Sequence, residues 1–153
     1  MSMTLLFPSS GKSAAITGTA TASITETDIV AGGKTIIITL TNDTWVTAGV
    51  NFDAQRQNII NGLDSAQSEA TGWDAKVKAL EVVTAVVRTS NTVVTVTLTA
   101  SATYDITATE TITVTVPGTA VIGGVPIVAI PTFTVSPVGG GIVARLLALL
   151  GVG

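Results

Sequence analysis

Val82-Val83-Thr84-Ala85-Val86-Val87-Arg88 and Thr92-Val93-Val94-Thr95-Val96-Thr97-Leu98, joined by Thr89-Ser90-Asn91, decide the fold class of this chain. Both are apolar runs rich in β-branched residues, and in the second Thr alternates with Val at the period of two that gives a strand one apolar and one polar face. The three polar residues between them are of hairpin length. The signature recurs outward in both directions. Ala15 to Thr25 reads as an Ala-rich first strand, Gly32-Gly33 punctuates, and Lys34 to Leu40 reads as a more buried strand. Downstream, Thr111 to Val116 alternates until Pro117 stops it, and in Ile127 to Val135 the internal Pro131 marks an edge or a bulge. The expectation is a mainly β fold, an antiparallel β-sandwich.

One segment breaks the alternation. From Asp53 to about Ala70 the β-branched residues thin out, and Ile59, Ile60, Leu63 and Ala66 fall at helical spacing, which predicts one helix inserted between strands over about 53–70. Asn51 or Asp53 can cap its start by accepting a backbone N–H, while Gly62 inside it costs about 1 kcal/mol relative to Ala. Trp45 before the segment and Trp73 after it read as core plugs, because so few other aromatics are present to fill an interior.

The ends differ from the middle. Residues 1–14 form an arm whose apolar part is Leu5-Leu6-Phe7, and Gly139-Gly140-Gly141 predicts a hinge leading into a C-terminal peptide over 137–153. On a helical wheel Ile142, Val143, Leu146, Leu147, Leu149 and Leu150 fill one broad arc, opposite Ala144, Arg145 and Ala148. Such an apolar face needs a groove, on a neighbouring subunit in preference to its own domain. A membrane surface ranks below both, since one Arg attracts anionic lipid weakly. The run from Ile142 to Leu150 would extend about 14 Å as a helix against a bilayer core of about 30 Å, so no membrane span is expected. The N-terminus shows neither a charged leader nor a long apolar run, and export by a signal peptide is not indicated.

Composition removes most catalytic classes. Neither Cys nor His occurs, which excludes disulfides, thiolate chemistry, imidazole ligands and the usual general base. Seven cations against ten acids, scattered and not clustered, give no footprint for nucleic acid. Only 11% of residues are charged while 46% are hydrophobic, so neighbours are expected to cover much of the surface. Gly11-Lys12-Ser13 fails as a phosphate-binding loop, because Leu6 stands where its first glycine belongs. The nearest carboxylate groupings, Glu26 with Asp28 and Asp105 with Glu110, match no ligand spacing, and Asp28, Asp43, Asp74 and Asp105 are more simply turn residues. No cofactor, metal or catalytic residue is expected. Tyr104, just ahead of the strand from Thr111, suits a tyrosine corner whose phenol bonds backbone across a Greek-key arch.

Three stretches carry a resemblance. Thr25 to Trp45, which runs Thr-Glu-Thr-Asp-Ile-Val-Ala-Gly-Gly-Lys-Thr-Ile-Ile-Ile-Thr-Leu-Thr-Asn-Asp-Thr-Trp, resembles a recurrent immunoglobulin-like module of tailed-phage virion and bacterial surface structural proteins. Asn61 to Ala70 through Trp73 is similar to that module's inserted helix, and Tyr104 to Pro117 to its closing Greek-key half. The likeness covers about residues 15–136 and implies an Ig-like sandwich with no catalytic residues to carry over; the apolar C-terminal peptide departs from it.

The combined expectation is a non-enzymatic virion structural protein, a capsid decoration or cement protein or a tail component. It would form a homo-oligomer bound to a major capsid or tail protein, assembled in the host cytoplasm and released by lysis. Apolar arms exchanged between protomers would bury area worth about 25 cal/mol per Å². Two alternatives stand beside it: a filament subunit, outside the cell or on its surface, and a carbohydrate- or cell-surface-binding module that would use Trp45, Trp73 or Tyr104 as its platform.

Overall fold

The computed structural model of the chain describes residues 12–19, 23–67, 69–79, 83–139 and 150–151. Its strands are β1 (Ala15–Thr19), β2 (Ile24–Thr25), β3 (Thr35–Thr41), β4 (Leu63–Ser65), β5 (Val83–Arg88), β6 (Val93–Leu98), β7 (Glu110–Val116) and β8 (Ile127–Ser136). Short helices α1 (Glu26–Ala31), α2 (Val50–Asp53), α3 (Arg56–Asn61) and α4 (Trp73–Lys76) lie between them.

The strands form two four-stranded sheets, ordered β1-β3-β6-β5 and β2-β8-β7-β4. The period of two explains the packing: Ile36, Ile38 and Leu40 of β3, Val94, Val96 and Leu98 of β6, and Ile112, Val114 and Val116 of β7 are all buried. The intervening threonines are exposed or half-buried. Inward residues of both sheets join one hydrophobic cluster, in which Trp45 meets Phe52 and Trp73 meets Phe133 edge-on.

The hairpin forms as its sequence dictates. Val86 pairs with Val96 and Arg88 with Val94, and the Ser90 hydroxyl accepts the Thr92 and Val93 amides to close the turn. Pro131 sits in an irregularity of β8, where the β7 partners jump from Thr132 to Ala129 and leave Ile130 and Pro131 unpaired. There β8 needs no donor from proline.

Four features differ from the sequence reading. Pairing is not wholly antiparallel, because β2 lies parallel to the end of β8. The first strand is two strands, β1 and β2, the second leading straight into α1 through a capping box between Thr25 and Asp28. The single helix over 53–70 is instead α2 and α3, ending at Asn61 and followed by β4. Gly62 is the reason: a Cβ there would lie 1.9 Å from the Thr115 carbonyl oxygen, so only glycine lets the chain approach β7 and pair Leu63, Asp64 and Ser65 with Val114, Thr113 and Ile112. Finally, neither Asn51 nor Asp53 caps a helix. Both lie within α2, whose N-cap Gly49 offers no side chain.

Candidate functional site

The largest concentration of buried polar chemistry lies where β7 begins. Glu110 occupies the same face as Ile112, Val114 and Val116, so strand alternation carries its carboxylate into the core, where it is fully shielded from solvent. Its Oε2 accepts the Tyr104 hydroxyl at 2.7 Å and the Trp73 amide at 2.9 Å, and its Oε1 faces the Ser65 hydroxyl at 3.4 Å. Gly72 leaves the room for it, since a Cβ there would come within 2.4 Å of Oε1. The Trp73 indole N–H donates to the Leu63 carbonyl at 3.0 Å, so the same tryptophan holds β4.

Around this centre the irregular stretches are fastened to each other. Glu69 accepts the Thr107 and Ala108 amides and the Thr107 hydroxyl, Gln67 accepts the Thr111 amide at 2.7 Å, and Thr71 donates to the Asp105 carbonyl. Asp74 accepts the Ser65 amide and pairs with Lys78, which also meets Asp64. The hydrogen bond from Lys78 to Asp64 raises the lysine's pKa above its ordinary value. Burial first, and then the bond and charge of Glu110, push the Tyr104 phenol far up, so it is a neutral donor throughout the physiological range.

The carboxylates singled out from the sequence serve the fold in the same manner. Glu26, almost wholly buried, accepts the Val138 amide at 3.0 Å. Asp28 accepts the Thr25 amide, which lowers its pKa, and bridges to Lys34. Asp43 accepts the Thr44 amide at 2.7 Å and the Gly123 amide at 3.1 Å, tying two distant loops. Glu26 and Glu110 therefore face different partners from Asp28 and Asp105, the residues that sequence proximity had grouped them with. Among the described residues no group of three His, Cys, Asp or Glu side chains is arranged to hold a metal.

Trp45, Trp73 and Tyr104 are all in the core. The bond expected of Tyr104 in a tyrosine corner is not the one formed: its phenol donates to the carboxylate of Glu110, six residues on, and not to a backbone group. Two buried donors, Trp45 Nε1 and Arg88 Nε, find no acceptor among the described residues. Leu5, Leu6, Phe7, Ile142, Val143, Leu146, Leu147 and Leu149 lie outside the described residues, and Leu150 is exposed. Sequence reasoning missed the stitching by Glu69, Gln67 and Glu110. For Glu110 a signal existed, since it stands in step with three apolar residues that alternation assigns to the core.

Two surface clefts lie among the described residues. One, of about 370 Å³, lies against Asn58, Asn61, Gly62 and Thr115; the other, of about 530 Å³, is lined by Ser13, Ala14, Asn42, Asp43 and the segment from Gly123 to Ile127. The second contains a single carboxylate, Asp43, already bonded to two amides. Compared with known protein families, with curated proteins and with solved structures, the chain finds no match.

Proposed function

We propose that this chain is a non-enzymatic structural protein of a tailed-phage virion, an Ig-like β-sandwich that decorates the capsid or belongs to the tail and assembles with its own copies through its termini. One observation carries the reading: the carboxylates of Glu26, Asp28, Asp43, Glu69 and Glu110 are spent on backbone amides of loops and turns. Such side chains secure the irregular connections of a module that has to keep its shape under contact from neighbours. The low charge, the apolar runs near both ends and the resemblance of residues 25–45 to virion and surface modules support it further. On this reading the protein bridges adjacent capsid subunits, and apolar segments exchanged between copies supply the area.

A carbohydrate- or cell-surface-binding module would present aromatic side chains to its ligand, and Trp45, Trp73 and Tyr104 are buried. A filament subunit is separated from a decoration protein by symmetry, open head-to-tail contacts in place of closed ones. Negative-stain electron microscopy of the purified chain, alone and mixed with capsid and tail particles from its own source, tests the reading. Ordered coating of a capsid lattice or a tail is the expected result, and particles left bare would refute it; long fibres from the protein alone would support the filament.

A further inference from the structure

β5 is the outer strand of its sheet, and no described strand pairs with its far side. Which backbone groups face outward follows from the hydrogen bonds on either side of β6. The Leu98 amide donates to Lys34 and the Leu40 amide to Thr92, so the even-numbered residues of β6 serve β3. The Thr89 amide donates to Val93, so the odd ones serve β5, and the register carries this to Val87 and Ala85. Val86 and Arg88 are left with their N–H and C=O groups directed away from the sheet.

Natural edge strands are usually blunted by proline, by central charges, by brevity or by bulges. This one has a single irregularity near its start, between Val83 and Ala85, and beyond it four regular residues with one charge, Arg88, at the far end. Val87, on the outer face, is 49% exposed. Of the other outer strands, β1 has five residues with an irregularity between Ile16 and Gly18, β2 has two and β4 three.

We infer that this edge pairs antiparallel with β5 of a second copy about a two-fold axis at Val86, joining two four-stranded sheets into one of eight strands. The occupant is a second copy because the strand complements itself in that register. Val86 faces its own counterpart through the outward backbone groups, Val87 of each copy lies opposite Ala85 of the other, and the two Arg88 residues stand at opposite ends of the pairing. The inference rests on the self-assembly reading above and adds a contact that does not use the termini. Six residues span about 20 Å, short of the area of a standard stable interface, so the pairing is weak in dilute solution and takes effect where copies are held side by side.

The chain has no cysteine, so the double variant Ala85→Cys/Val87→Cys gives a clean cross-linking test. Cross-strand neighbours in this register fall within disulfide reach, and oxidation should convert the concentrated variant into a covalent dimer on a non-reducing gel. Ala85→Lys/Val87→Lys sets like charges opposite each other across the axis and should weaken edge association at least tenfold, with circular dichroism unchanged. Absence of the covalent dimer, or unaltered association of the lysine variant while the full chain still oligomerises, overturns the edge pairing and leaves self-assembly standing. A full chain that stays a single-copy species at every concentration and also fails to cross-link overturns both.

Discussion

In the stretch from β4 through α4, and in the loop that leads from Tyr104 into β7, nearly every turn is held by a side-chain oxygen, whereas the β5–β6 hairpin is held by its own ladder and a few hydroxyls. The contrast follows from the backbone. A regular ladder satisfies its own amides, so the hairpin needs only β-branched residues at the right period. Irregular chain has no ladder, and a buried amide without a partner costs about 1–3 kcal/mol, so Glu110 serves the buried Trp73 amide and Asp74 the half-buried Ser65 amide, while Gln67 and Glu69 tie down exposed amides of the loop. The hairpin's economy has its own consequence: among the described residues no strand pairs with the outer side of β5.

The largest expected effect comes from cutting the polar centre. Glu110→Ala orphans the Trp73 amide and the Tyr104 hydroxyl and opens a cavity, and should lower unfolding free energy by about 3–5 kcal/mol in urea titration. A loss below about 1 kcal/mol would mean the irregular half is not held as described. The two tryptophans sharpen the point at smaller scale. Trp73→Phe removes a bonded indole N–H, while Trp45→Phe removes one with no acceptor among the described residues, so the first should cost more by about 1 kcal/mol, and equal losses would count against the assigned bonds.

The smallest effect is a pH dependence. Tyr104 has its folded-state pKa raised, chiefly by burial, so the stability it contributes is complete below the unfolded value near 10 and is lost as pH rises beyond it. Lys78, also raised, declines over the same alkaline range, so the comparison has to be made between the parent chain and Tyr104→Phe. The phenylalanine variant should show a shallower alkaline loss in unfolding experiments, and identical slopes would remove the phenol from the account. At the acid end, Asp28 is lowered by its bond from the Thr25 amide, so its contribution is present above the usual carboxylate range and fades as pH falls.

The same contrast governs how much was legible in the sequence. Strands β6 and β7 alternate, so period two exposes both the element and its buried face, while β3 and β5 show as apolar runs rich in β-branched residues. The region from Asp53 to Ala70 misleads because Leu63 falls at helical spacing from Ile59 and Ile60, while a three-residue strand is too short to show its own period. What overrides the helix is tertiary: the contact of Gly62 with Thr115, which no local pattern encodes. The stitching by Glu69 and Gln67 joins residues about forty positions apart, beyond any local spacing.

The claim at the centre of this account is that the module assembles with its own copies. Light scattering over a concentration series, on the full chain beside a chain ending at Val138, measures that directly. The account predicts a mass well above the 15.4 kDa of one chain for the full-length protein, and a smaller assembly when the C-terminal peptide is removed. A mass of one chain for both proteins at every concentration would contradict it.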